Sequence, residues 1–241
     1  MTEAMTEYQG KRVLVVGGSS GVGLATARRF AALGAHVTIA SRSKEKIEAA
    51  LATLGDRATG QPLDITDNAA VEEFAAAAGE FDHVVISAAD TPMGRVDTLP
   101  LEDAYAAMDS KFWGAYRLAR ALTVRPSGSL TLLTGYLSVR PGKAAALQSA
   151  INAALEALVR GLALEYAPLR VNAVSPGLLK TPLWDALPEA NREAMYEAAT
   201  ARLPVARVGE PEDIAEAVLF TAGNPYTTGT TLFIDGGGSI A

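Results

Sequence analysis

Short apolar runs alternate along the chain with longer segments in which apolar residues recur at helical spacing. The apolar runs predict strands at 13–16, 36–40, 58–63, 83–87, 129–134, 170–174 and 231–234. The segments between them predict helices at 24–33, 44–54, 68–78, 101–124, 144–166, 183–201 and 211–222. Most of these runs, such as 13–16, are continuously apolar, as in strands that are covered on both faces. The pattern therefore predicts an α/β fold, with a single doubly wound parallel sheet of about seven strands and helices on both faces.

No repeat or long linker divides the sequence, so residues 1–241 are predicted to form one domain. The 21 Lys and Arg against 27 Asp and Glu give a net charge of −6, which disfavours nucleic acids and anionic membranes as partners. The chain has no cysteine, so disulfide scaffolds, thiolate metal sites and thiol nucleophiles are excluded. We expect a small-molecule substrate.

The amino-terminal segment Met1–Gly10 is polar and acidic and does not have the pattern of a secretory signal. Charged residues interrupt every apolar segment before it reaches the roughly 18 residues that a membrane span needs. These two features predict a cytoplasmic protein.

A glycine-rich loop joins the first predicted strand to the first helix, where backbone N–H groups and the helix dipole favour an anion. Gly17 permits a tight turn, Gly21 a close approach of pyrophosphate, and Gly23 tight packing of helix on strand. Glycines at such turns often serve geometry alone, but the strand and helix on either side favour a nucleotide site. The predicted contacts in this loop are Gly17, Ser19, Ser20, Gly21, Val22 and Gly23.

The end of the second strand indicates which dinucleotide would bind. An acidic residue there would hydrogen-bond the ribose 2′-hydroxyl of NAD, but the sequence has Ser41 and Arg42. A guanidinium and a hydroxyl suit a 2′-phosphate, which favours NADP(H). The alternative interpretation of Arg42 is a solvated cation at the start of a helix.

Taken together, these motifs resemble those of the short-chain dehydrogenase/reductase family over nearly the whole chain. Residues 16–23 resemble its T-G-x-x-x-G-x-G loop, with Val16 in place of Thr, and residues 63–67 resemble its D-x-T/S segment. Residues 172–181 are similar to its N-x-x-x-P-G-x-x-x-T stretch, and 207–213 and 235–237 to its carboxyl-terminal signatures. The resemblance implies a Rossmann-like domain, a nicotinamide dinucleotide, hydride transfer, and a homotetramer or homodimer.

The resemblance also implies individual cofactor contacts, with Asp64 at the adenine and Thr181 at the cofactor amide or phosphate. The other contacts expected from it are Ile65, Ser87, Ala88, Ala89, Pro176, Gly177 and Leu179. The helices 101–124 and 144–166 are the candidate interface between subunits.

The family's catalytic Asn, Ser, Tyr and Lys are all replaced in this sequence. The corresponding residues are, in order, Lys111, Gly135, Gln148 and Asn152, and Tyr136 adjoins the Ser position. We expect Lys111, Tyr136 or water to supply a proton, Gln148 to polarise the acceptor and Asn152 to bind the nicotinamide ribose. The structural alternatives are a Lys111 that extends to solvent and a Tyr136 that is packed in the core.

Other polar and aromatic residues complete the prediction. Asp90 lies on a loop at the carboxyl end of a strand, where ligands bind in this architecture, and its structural alternative is to cap a turn with Thr91 and Pro92. His36 and His83 are expected to open their strands, away from the cleft, and no metal site is predicted. Residues 183–201, with Met195 and Tyr196, are predicted to cover the substrate and indicate a hydrophobic or aromatic one.

Two functions remain open from the sequence. The first is an NADP(H)-dependent oxidoreductase with an atypical active site, which reduces a carbonyl, imine or activated double bond. The second is a catalytically silent NADP(H)-binding protein that acts as a sensor or regulator.

Overall fold

The apolar runs pair side by side in the computed structural model, which describes residues 8–241. Residues 1–7, most of the segment Met1–Gly10, lie outside the described residues. The strands are β1 (Arg12–Val16), β2 (His36–Ser41), β3 (Ala58–Pro62), β4 (Glu80–Ile86), β5 (Thr123–Leu133), β6 (Arg170–Pro176) and β7 (Thr231–Ile234). They form one sheet in the order β3-β2-β1-β4-β5-β6-β7, and every pairing is parallel.

Helices cover both faces of this sheet. They are α1 (Gly21–Ala32), α2 (Lys44–Leu51), α3 (Asn68–Ala78), α4 (Leu101–Met108), α5 (Gly114–Ala121), α6 (Ala146–Glu165), α7 (Glu189–Arg202) and α8 (Pro211–Gly223). One apolar core joins Leu14 of β1 to Leu118 and Ile151, while the other joins Val15 to Phe30 and Val218. Adjacent residues of β1 thus point into opposite cores, and the predicted doubly wound fold is confirmed.

The predicted helix 101–124 is divided in the structure. A π-helical turn, Asp109–Trp113, separates α4 from α5, and the N–H of Gly114 donates to the carbonyl of Asp109. The helical structure ends at Ala121, and β5 begins at Thr123 rather than at 129. The reason is local, because Thr123 and Val124 are β-branched and Pro126 disfavours helix in the residue before it.

Two further boundaries change the location of functional residues. α1 begins at Gly21 rather than Leu24, so the second half of the glycine loop is the first turn of the helix. β4 begins at Glu80, so the prediction that His83 opens its strand is wrong. His83 lies in the middle of β4 and pairs with Val13, still away from the carboxyl ends of the strands.

His83 is a buried titratable group in the middle of the sheet. Its Nδ1 lies 2.9 Å from the hydroxyl of Ser129, and its ring stacks on Phe30. Burial lowers the pKa of His83 from 6.5 to about 4, and neighbouring Asp82 only partly opposes this effect. The imidazole is therefore neutral in the folded protein at neutral pH.

We predict a pH-dependent loss of stability that depends on His83. The unfolded chain takes up a proton below pH 6.5 that the folded chain accepts only near pH 4. The contribution of His83 to the free energy of unfolding is therefore fully present above pH 6.5 and is lost between pH 6.5 and 4. It decreases by about 2 kcal/mol from pH 7 to pH 5. Urea unfolding of His83→Gln at both pH values should show a correspondingly smaller difference than the unsubstituted chain. His36→Gln, at an exposed position, is the control, and an equal change in both variants would contradict the prediction.

Candidate active site

The glycine loop leaves no room for side chains where it meets the sheet. A Cβ on Gly23 would lie 2.1 Å from the carbonyl oxygen of Gly17, and one on Gly17 would lie 2.6 Å from the amide nitrogen of Ala88. Gly17 has φ +83°, and its N–H donates to the carbonyl of Ala40 over 2.7 Å. The loop therefore packs its backbone directly on the ends of β2 and β4, as a dinucleotide-binding turn requires.

The other side of the loop faces a crevice. Gly21 has φ +50°, and a Cβ there would point at Thr181, 3.8 Å from its Cβ atom. Ser20 precedes α1 without a side-chain cap, so the first amide groups of the helix keep their hydrogen-bonding capacity. The crevice beside Gly21 and Thr181 therefore presents main-chain donors and a helix N-terminus, which suit an anion such as the pyrophosphate of a dinucleotide.

Several predicted cofactor residues support the crevice. The N–H and the hydroxyl of Ser87 both donate to the carbonyl of Val16 over 2.9 Å, which fixes the end of β4 against β1. The hydroxyl of Ser19 donates to that of Ser41 over 2.8 Å and so joins the loop to the end of β2. Ala88 and Ala89 continue from Ser87 along the loop edge.

Asp64 and Ile65 are the residues predicted to lie beside the adenine. The N–H and the hydroxyl of Thr66 both donate to the carboxylate of Asp64, and these two hydrogen bonds hold the pKa of Asp64 below its ordinary value. The carboxylate is thus ionised and exposed. Ile65 is buried against Gly114, where a Cβ would lie 2.7 Å from its Cδ1, so only the backbone of Ile65 is available to a ligand.

The segment from β6 to Thr181 forms another wall. Pro176 ends β6, and a Cβ on Gly177 would lie 2.7 Å from the Cα of Asp235. Leu179 is buried, and its carbonyl accepts the indole N–H of Trp184 over 3.0 Å. This packing fixes the position of Thr181 opposite the glycine loop.

Lys111 reaches from the π turn to α6. Its Nζ donates to Oδ1 of Asn152 over 2.7 Å and to the carbonyl of Thr134 over 3.1 Å. The alternative that Lys111 extends to solvent is therefore wrong. An ammonium has three hydrogens, and the third has no acceptor within residues 8–241. Two of the predicted catalytic residues are thus in direct contact, at the carboxyl end of β5.

A buried carboxylate that the sequence reasoning missed lies beside them. Glu156 accepts hydrogen bonds from the hydroxyls of Ser138, over 2.6 Å, and Thr134, over 3.4 Å. Burial lowers the pKa of Lys111 to about 8, and the negative charge of Glu156 limits that decrease. Its spacing in the sequence indicates this position, because Glu156 follows Asn152 by four residues and so lies on the same face of α6.

The side chain of Gln148 is hydrogen-bonded to the protein, whereas the prediction has it polarise a substrate. Its side chain is buried, and its Nε2 donates to the carbonyl of Pro92 and, over 3.4 Å, to that of Thr91. Its Oε1 is buried and has no partner among the described residues. The N–H group expected to polarise a substrate is therefore occupied by the loop after β4 in this structure.

Asn152 and Tyr136 lie on either side of Gly135. A Cβ on Gly135 would be 2.8 Å from Nδ2 of Asn152, so the glycine leaves room for the amide. Tyr136 begins a short 3-10 turn, Tyr136–Ser138, and a Cβ on Gly238 would lie 3.4 Å from its ring. No hydrogen bond within residues 8–241 joins its hydroxyl to Lys111, so the structure brings together Lys111 and Asn152 but not Tyr136.

Arg42 and Asp90 form an ion pair across the mouth of the crevice. Their Nη2 and Oδ2 atoms are 3.1 Å apart, and both side chains are largely exposed. The N–H of Asp90 donates to the hydroxyl of Ser110 over 2.9 Å. The alternative that Asp90 caps a turn with Thr91 and Pro92 is therefore wrong, since its carboxylate is directed at Arg42.

The predicted covering segment 183–201 is a 3-10 turn, Pro182–Trp184, followed by α7. Trp184, Met195 and Tyr196 pack in a small cluster with Leu203 and its neighbours. Tyr196 is buried in this cluster, and Trp184 and Met195 are partly buried against it. Within residues 8–241, no helix combines the length and apolar character needed to span a membrane.

A family model described as Enoyl-(Acyl carrier protein) reductase matches residues 16–239. The chain belongs to the short-chain dehydrogenase/reductase family. Its relatives include the short-chain dehydrogenase/reductase ucsE of Acremonium sp, 30% identical over 100% of this chain and 99% of that protein. Glucose 1-dehydrogenase of Gluconobacter oxydans is 34% identical over 95% of this chain and 92% of its own.

Solved structures agree with this assignment. A small-chain dehydrogenase in complex with NADPH superimposes with a TM-score of 0.82 at 35% identity, over 97% of this chain and 100% of that one. This short-chain dehydrogenase/reductase is therefore an oxidoreductase with the nucleotide-binding fold of its family, as the sequence motifs predicted.

We predict that Glu156 keeps the pKa of Lys111 from falling further. In Glu156→Gln, the amide oxygen still accepts from Ser138, but the negative charge is lost, so the pKa of Lys111 should fall below its present value of about 8. Heteronuclear NMR titration of the lysine ε-carbons measures this directly. Glu165→Gln, at an exposed acid of α6, is the control, and an unchanged or higher pKa in Glu156→Gln would contradict the prediction.

Proposed function

We propose that this short-chain dehydrogenase/reductase is an NADP(H)-dependent reductase with an atypical active site, acting on a carbonyl, imine or activated double bond. The observation that carries the proposal is the contact between Lys111 and Asn152, 2.7 Å apart. It places an ammonium between the π turn and α6, at the edge of the sheet where the glycine crevice opens.

The residues around the crevice suit NADP(H). Gly17 to Gly23 offer main-chain amides to the pyrophosphate, Arg42 a guanidinium to the 2′-phosphate, and Asp64 an acceptor to the adenine. Thr181 stands opposite the glycine loop, and a related structure holds NADPH. The dinucleotide, when bound, supplies the hydride.

Lys111 supplies the proton in this proposal. When a C=O or C=N bond is reduced, its heteroatom gains negative charge and requires a proton. The free N–H of Lys111 moves a proton from Nζ to that heteroatom, which leaves a neutral amine that regains a proton from water. Asn152 and the carbonyl of Thr134 hold Nζ in place during this step.

We also propose that the protein is a homo-oligomer. The segment from α4 to α5 exposes four large apolar side chains, and two of them, Trp113 and Tyr116, pack edge to face at 5.7 Å. The four residues are Leu101, Tyr105, Trp113 and Tyr116. An apolar strip of this kind suits an interface between two copies of the helix.

The first test is cofactor selectivity. Arg42→Ala should weaken NADPH binding by about 10- to 100-fold, since a hydrogen bond to a charged group contributes about 1.5–3 kcal/mol. NADH binding should hardly change, because NADH lacks the 2′-phosphate. Isothermal titration calorimetry measures both, with Arg28→Ala, an exposed arginine on α1, as the control. No binding of NADPH to the unsubstituted chain would refute the proposed function.

The second test is the pH dependence of reduction. Lys111 donates only as an ammonium, and its pKa is about 8, so the rate should be constant below 8 and decrease above it. Lys111→Met should be slower by about 10²- to 10⁴-fold and should lose this decrease.

The measurement is NADPH consumption with a panel of aldehydes, ketones, quinones and imines. Lys143→Met, an exposed lysine outside the network, should keep both the rate and the pH profile. An unchanged rate in Lys111→Met would contradict the role of Lys111.

A further inference from the structure

A carboxylate of the protein, that of Asp90, lies beside the predicted binding group for the 2′-phosphate. The Asp90 carboxylate is 3.1 Å from the guanidinium of Arg42, the group expected to bind the 2′-phosphate. Both side chains are about two-thirds exposed, at 66% and 63%, so the pair is reachable from the crevice mouth. A 2′-phosphate and a carboxylate compete for the same planar donor and repel each other.

The segment that follows Asp90 crosses to the other side of the site. The N–H of Gly94 donates to the carbonyl of Ala144 over 3.1 Å, just before α6. The carbonyls of Thr91 and Pro92 accept from Nε2 of Gln148. We call residues 90–94 the strap, because it runs from Arg42 at the cofactor side to Gln148 at the catalytic side.

The strap leaves one end of the Gln148 side-chain amide without a hydrogen bond. The buried Oε1 of Gln148 has no partner among the described residues, and a buried polar atom without a hydrogen bond is destabilising. Rotating the amide would not help, since it would place Oε1 against two carbonyl oxygens. Moving the strap away would admit water or a ligand to both ends of the amide.

We propose that Asp90 is a specificity-determining residue of the cofactor site. Its carboxylate competes with the 2′-phosphate for Arg42, and this competition links the choice of cofactor to the position of the strap over Gln148. NADP(H) displaces Asp90 from Arg42 and releases the strap, whereas NAD(H) leaves the ion pair and the strap in place. The inference rests on the proposed NADP(H) site.

The experiment compares NADPH and NADH binding by calorimetry in Asp90→Asn, which keeps the shape and removes the charge. NADPH affinity should rise about two- to five-fold, the range expected for breaking an exposed ion pair, and NADH affinity should not change. The rise should vanish in the double variant Arg42→Ala with Asp90→Asn. Asp97→Asn is the matched control, because Asp97 pairs with Arg95 inside the same loop at 2.8 Å and does not reach the cofactor side.

The strap is followed separately by hydrogen exchange at the amide of Gly94. Exchange should accelerate when NADPH is added and in ligand-free Asp90→Asn, but not when NADH is added. An unchanged or lower NADPH affinity in Asp90→Asn, an equal effect in Asp97→Asn, or equal exchange with both cofactors overturns the inference and leaves the proposed function intact. Absence of NADPH binding in the unsubstituted chain overturns both.

Discussion

The close contact between the glycine loop and the sheet determines the geometry of the whole site. A Cβ on Gly23 would lie 2.1 Å from the carbonyl oxygen of Gly17, closer than any real contact permits. Because these two residues have no side chains, α1 begins directly at the end of β1 and directs its free amides into the crevice. The same loop contacts Ser87 and Ala88 at the end of β4 and lies opposite Thr181, so it borders both walls of the crevice.

The candidate site joins polar groups from two elements. Lys111 comes from the π turn before β5 and Asn152 from α6, and the resemblance predicts that they take the family's Asn and Lys positions. Their side chains meet at 2.7 Å, so the ammonium is held between the two elements. Glu156 then supplies a buried negative charge on α6, which an interior ammonium needs.

The sequence predicted most of the fold because its signals are local. Apolar runs and glycines placed all seven strands and the crevice, and Asn68–Ala78 was predicted with both of its ends. The division of helix 101–124 was missed, since a π turn has no distinct composition. The Arg42–Asp90 pair and the partners of Gln148 were missed for another reason, because they join residues 48 and 56 positions apart through loops whose path no periodicity records.

The π turn at Asp109–Trp113 determines which side chain of this element is directed at Asn152. A π turn contains one residue more than the α-helical turn it replaces, and successive residues of an α-helix differ by about 100° in direction. Removing that one residue would direct a different side chain at Asn152 while α5 kept its packing on the sheet. The identity of the group beside Asn152 thus depends on the register of a single turn.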